Sequence, residues 1–185
     1  MMKKIIIAIL VFSLFTSIVN AQGKFYTKTG KISIFSTTSV ENISAVNKSS
    51  VCLLDSKTGD LQFAVLMKGF EFRKAKMQED FNSDYVESSK FPKSEFKGQI
   101  TNNSTVSYSS NGAYNVNVKG KLTIHGIAKD VESAGSITVK DGKLVANSVF
   151  NILIADYNIK VPKMYMDNIS KSIKITVDCT LEPLK

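Results

Sequence analysis

The chain has 185 residues, 43% of them hydrophobic, and a formal net charge of +8. That length suits one domain with a sizeable core, and no internal repeat, low-complexity tract or linker divides it. Its basic residues are scattered apart from Arg73-Lys74-Ala75-Lys76, which argues for a solvated, mildly basic surface and against a nucleic-acid partner.

The N-terminus carries Lys3 and Lys4, then an apolar run over residues 5–19 broken only by Ser13, Thr16 and Ser17. Val19-Asn20-Ala21 places small or apolar residues where a signal peptidase reads. Residues 1–21 are therefore expected to be a cleaved signal peptide, with Gln22 as the new N-terminus. A transmembrane anchor is the competing reading, but the run of about fifteen residues is shorter than the roughly twenty a spanning helix needs. Gln22, not a Cys, directly follows the cleavage point, which argues against a lipid anchor. Residues 22–185 are then the folded domain, periplasmic or secreted, with no stable membrane anchor.

That domain reads as β nearly throughout. Residues 61–67 are apolar on both parities, as expected of a strand under another layer or facing a ligand. Residues 76–88 form the single credible helix. Met77, Phe81 and Tyr85 recur four apart and share a face, while Gln78, Asp80, Asn82 and Asp84 suit solvent. Tyr114, Val116, Val118, Leu122 and Ile124 alternate with polar neighbours, the mark of a half-buried strand. Residues 145–155 are again apolar on both parities. Ile173, Ile175, Val177, Cys179 and Leu181 alternate with polar residues at the C-terminus. Asn111-Gly112 and Asp141-Gly142 are hairpin dipeptides. Lys57-Thr58-Gly59-Asp60 is a weaker turn signal, and His125-Gly126 is placed to bend the chain. The sum is an all-β fold of about eight or nine strands with one short helix, a barrel or a sandwich.

Two stretches resemble the YceI-like family. Met77, Phe81, Asn82, Tyr85, Glu87, Ser88 and Lys90-Phe91-Pro92 resemble its helix and helix exit, and Phe96 and Gly98 its following strand. Gly120, Leu122, Thr123, Ile124, His125 and Gly126 resemble its second motif. Asp80 and Ser83 stand where many relatives carry a His and a Glu, so no role of that His carries over. The resemblance extends over nearly all the chain after residue 23. It implies an antiparallel, roughly eight-stranded lipocalin-like β-barrel, secreted or periplasmic, that holds a long-chain amphiphile, a polyisoprenoid or fatty-acid derivative. It also favours the helix as a ligand-contacting lid over a simple plug.

An eight-stranded barrel is just wide enough to be filled by side chains or to hold one small ligand. The candidate ligand-binding residues are Phe63, Val65, Phe70, Phe72, Phe96, Leu122, Ile124, Phe150, Ile152 and Ile154, with Met77, Phe81 and Tyr85 from the helix. For any one Phe, core packing is the simpler account. Arg73, with Lys74 and Lys76, stands at the helix entry, where an anionic head group would be attracted. A solvated basic turn is the simpler reading there too.

Catalytic sets are missing from the sequence. The one His, His125, allows no ordinary zinc site and reads as a hydrogen-bonding turn residue rather than a base. No Ser sits in a G-x-S-x-G elbow, and no phosphate loop or dinucleotide fingerprint occurs. Glu79, Asp80, Asp84 and Glu87 spread around the helix as a wet face. Cys52 and Cys179 are either a disulfide, which an oxidising compartment permits, or two buried thiols. The expected protein is a non-enzymatic carrier without cofactor or metal. The competitors are a solid-core interaction module and a barrel enzyme acting on a lipid.

Overall fold

The computed structural model describes residues 23–184; the expected leader, residues 1–21, lies outside the described residues. Nine strands follow in chain order: β1 Lys24–Thr37, β2 Asn42–Asp55, β3 Asp60–Leu66, β4 Glu71–Phe72, β5 Lys93–Ile100, β6 Gly112–Ile124, β7 Ile127–Lys140, β8 Lys143–Leu153 and β9 Ser172–Pro183. All pair antiparallel in the order β1-β9-β8-β7-β6-β5-β3-β2, and β1 pairs with β2 to close the ring. The short β4 adds to β2 at Ala45 and Val46, on the same edge of β2 that β3 pairs with. The result is a closed, eight-stranded antiparallel barrel, as the family resemblance implied.

Period-two patterning decides which residues point inward. Val116, Leu122 and Ile124 of β6 are buried, as are Ile175, Cys179 and Leu181 of β9. On β3 and β8 the outward apolar residues are not covered by a further layer: Leu66, Val149 and Leu153 are exposed. Two hairpins turn on His125-Gly126 and Asp141-Gly142, with φ of 51° and 74° in each pair. That double positive φ is the geometry that fits a two-residue loop to twisted strands. Asn111-Gly112 is not a hairpin. It ends a longer β5–β6 connection that folds across the barrel end, where Asn103 Nδ2 donates to Ser56 O at 2.9 Å and the Tyr108 hydroxyl donates to Asn103 Oδ1 at 2.6 Å.

This lower end is solid. Leu54, Leu144 and Leu181 are almost wholly buried there, and Tyr108 stacks on Phe25 with ring centroids 6.1 Å apart. The upper end is formed by the 38–41 turn, residues 67–92, the His125-Gly126 turn and residues 154–171.

The helix is shorter and less regular than expected. α1 spans Ala75–Asp80 and continues as a π-helical turn, Phe81–Tyr85. Val86 N donates to Phe81 O at 3.0 Å, a bond five residues long. Glu87 then takes a left-handed φ of 45°, which ends the helical path. The wide turn offsets the drift that four-residue steps accumulate on a 3.6-residue helix, so Met77, Phe81 and Tyr85 stay on one face.

Candidate functional site

Above its packed lower layer the barrel is hollow, with an apolar cavity of about 460 Å³. That volume falls within the usual range for ligand pockets. Leu54, Leu61, Ile100 and Leu181 form its floor. The walls include Phe63 and Val65 of β3, Phe96 of β5, Leu122 and Ile124 of β6, and Phe150 and Ile152 of β8. Ile154 joins them from the 3₁₀ turn Ile154–Tyr157. Met77, Phe81 and Tyr85 form the roof, so the helix covers a cavity rather than plugging a solid core. Phe81 is held between Phe70 and Phe72, at centroid distances of 5.5 and 4.9 Å.

Phe96 owes its place to two glycines. Gly98 and Gly120 pair directly across the β5–β6 ladder. A Cβ on either would meet the Phe96 ring, at 2.4 Å from Gly98 and 2.7 Å from Gly120. The bare backbone lets the ring lie over the sheet and face the cavity.

Arg73 is the one candidate ligand-binding residue off the lining; it is exposed at the helix entry. Two of the three basic residues there are paired with carboxylates. Lys74 Nζ pairs with Glu41 at 2.7 Å, and Lys76 Nζ with Asp80 at 2.9 Å. The basic run is used to neutralise carboxylates at the cavity mouth, and Asp80, expected in solvent, lines that mouth. The Tyr85 phenol is pushed up by burial first, then by Asp80 and Asp84, and last by Tyr165 across the opening.

Residues 159–169 supply a wall that sequence reasoning missed: Ile159, Val161, Met164, Tyr165, Asn168 and Ile169 all line the cavity. This loop has no strand or helix period, so nothing in its sequence pattern marks an inward face. Ile173 and Ile175 of β9 also line the cavity; their alternation was legible but said only that one face is buried.

His125 lies off the lining, as a hydrogen-bonding turn residue. Its Nδ1 hydrogen-bonds with Tyr157 O at 3.1 Å and its Nε2 with Glu87 Oε2 at 2.6 Å, so both ring nitrogens are engaged. Phe91 packs edge-on against the ring at 4.5 Å. Glu87 and Phe91 of the helix exit are thereby tied to the second motif. Of the two family departures, Asp80 pairs with Lys76, and Ser83 Oγ donates to Glu79 O at 3.0 Å.

Cys52 and Cys179 are free, buried thiols. Barrel closure does bring their strands near, but β1 lies between β2 and β9. Two strand spacings are about 9.5 Å, beyond the roughly 7 Å between Cα atoms that a disulfide spans. Burial pushes the Cys52 thiol well up, with Cys179 adding to it, and takes Cys179 to about 11.

No three His, Cys, Asp or Glu side chains gather into a metal-sized cluster among the described residues.

Solved structures of other proteins share the fold. A polyisoprenoid-binding domain from Saccharophagus degradans implicated in plant cell wall breakdown has a TM-score of 0.76 at 10% identity, covering 88% of this chain and 99% of that one. BcnA of Burkholderia cenocepacia has a TM-score of 0.66 at 18% identity, covering 82% and 95%. The YCEI protein of Campylobacter jejuni has a TM-score of 0.54 at 17% identity, covering 71% and 78%. At these identities the likeness shows the fold. No curated protein matches the chain in sequence. The family model for the YceI-like domain matches residues 10–181, and with nearly the whole domain inside that match the chain belongs to the YceI-like family.

Proposed function

We propose that this protein is a non-catalytic carrier for a long-chain amphiphile, exported after cleavage behind Ala21 to the periplasm or outside the cell. The observation that carries the reading is the hollow apolar barrel roofed by Met77, Phe81 and Tyr85. An extended tail in such a tube gains roughly 0.8 kcal/mol for each methylene removed from water, which gives affinity without elaborate polar recognition. A neighbour of this fold is described as polyisoprenoid-binding, which makes an isoprenoid the first amphiphile to try. His125, off the lining and with both nitrogens engaged, offers no base to a ligand, which supports carriage over turnover.

Protein purified from its own host without added lipid should show a bound amphiphile by native mass spectrometry. A prenol or fatty-acid probe at about 100 times its Kd should add roughly 2.7 kcal/mol, or about 5–10 °C in Tm. Phe150→Asp should abolish binding, as should Ile152→Trp, which fills the cavity without burying a charge. Lys97→Ala on the outer face should bind normally. Circular dichroism must show each variant folded. Absence of both an adduct and a thermal shift in wild type would overturn the reading.

A further inference from the structure

The β8–β9 loop presents apolar side chains in two directions. Inward, Met164, Tyr165 and Ile169 line the cavity. Outward, Met164, Tyr165 and Met166 are 76%, 41% and 57% exposed. Leu153, at the same end of the barrel, is also exposed. The loop is braced in this position. Tyr165 N donates to Pro162 O at 2.9 Å, Asn168 N to Tyr165 O at 3.0 Å, and Ser170 N to the buried Ser36 Oγ at 2.9 Å. Apolar tips held outward at a cavity mouth mark an interaction surface rather than a folding device.

The charges around them point to the partner. Lys160, Lys163 and Lys171 are exposed and make no ion pair among the described residues. Lys174 lies over the Phe35 ring at 4.9 Å, and Phe35 itself lines the cavity. Against these the loop carries Asp156 and Asp167, and the helix across the mouth carries Asp84. Glu41 and Asp80 are already neutralised by Lys74 and Lys76. Apolar tips among lysines that make no ion pair fit the interface of an anionic bilayer. A second copy meeting through the same face would press these lysines against their own counterparts.

We propose that residues 159–171 form a membrane-docking lip, which seats the cavity mouth on an anionic lipid surface so that an amphiphile passes between bilayer and barrel without crossing water. The transfer role rests on the carrier reading above; the docking does not.

The chain has no Trp, so Met166→Trp gives a single reporter at a position off the cavity lining. With vesicles of equimolar phosphatidylglycerol and phosphatidylcholine, its emission should shift to the blue and the protein should float with the lipid. Pure phosphatidylcholine should do neither. Lys160→Ala, Lys163→Ala and Lys171→Ala should each weaken flotation by roughly fivefold, and high salt should weaken it further. Met166→Asp should abolish flotation and slow uptake of a fluorescent fatty acid from vesicles, while uptake of the same probe as a monomer in water stays at the wild-type rate. Equal flotation of wild type and Met166→Asp, or of anionic and neutral vesicles, would overturn the proposal. So would a blue shift that follows protein concentration without vesicles, which would assign the face to a second copy. If the monomeric probe fails to enter wild type, the carrier reading falls, and flotation still decides the docking.

Discussion

Glu87 and His125 both hold left-handed backbone, at φ 45° and 51°, a conformation that non-glycine residues keep only where their surroundings insist on it. Their 2.6 Å contact supplies part of that insistence. The Glu87 carboxyl is held below the usual carboxylate range, chiefly by the His125 hydrogen bond, with Lys90 adding and burial opposing. A folded-state value below the unfolded value of about 4.3 stabilises the protein above that pH, and the gain is lost as pH falls through the folded value. Wild type should therefore melt above Glu87→Gln at pH 7, and the gap should narrow between pH 5 and pH 3. Thermal melts across that range test it; a constant gap would place the pair's contribution elsewhere. That His125 is a hydrogen-bonding turn residue was legible from its strand parity. Its partner was not, because Glu87 lies 38 residues away in the chain.

At the scale of the element, Phe96, Gly98 and Gly120 behave as one unit. Neither glycine has an obvious reason to sit in a strand until the ladder places them opposite each other beneath the Phe96 ring. Gly120→Ala would put a methyl 2.5 Å from Gly98 Cα and 2.7 Å from the ring. Overpacking of this kind costs about 1–3 kcal/mol. Phe96→Ala should cost about 2–3 kcal/mol, less than a fully buried ring because Phe96 is only half-buried. With the ring gone, much of the glycine's constraint goes too. The double variant should be less destabilised than the sum of the singles, by a coupling measurable in denaturant titrations. Strict additivity would show that the glycines serve the backbone approach alone. The helix teaches the complementary lesson. Its apolar face was legible from the spacing of Met77, Phe81 and Tyr85. Its π-helical turn was not, because a local period of four does not say how the last turn closes.

For the whole molecule, closure of the ring decides both the cavity and the state of the thiols. Cys52 and Cys179 are buried on strands separated by β1, with their protons held tightly by burial. Iodoacetamide at pH 8 should leave both unmodified in the folded protein. In denaturant without reductant it should modify both. Protection of both cysteines in unreduced, denatured protein would reveal a disulfide and a different β1–β2–β9 arrangement. The Gly30 bulge of β1 is part of the same design. A Cβ there would lie 2.7 Å from Cys179 Sγ, so the wall packs tightly over the thiols while the opposite end stays hollow.

Alternation by two, the hairpin at Asp141-Gly142 and the lone amphipathic helix were enough to specify an all-β barrel or sandwich, because strand pleat and turn conformation are local properties, and the family resemblance chose the barrel. The same alternation named the buried residues of β6 and β9, while β3 and β8 read as apolar on both faces. It could not say that they enclose a void, since packed and hollow interiors need the same apolar face. Only tertiary structure decided that. The lower layer closes on Leu54, Leu144 and Leu181, whereas the upper layer meets α1 and the β8–β9 loop across open space. It also decided that Lys74 and Lys76 pair with Glu41 and Asp80, and that Met164, Tyr165 and Met166 crown the mouth. Such contacts join residues far apart in the chain, and no local period encodes which of them meet.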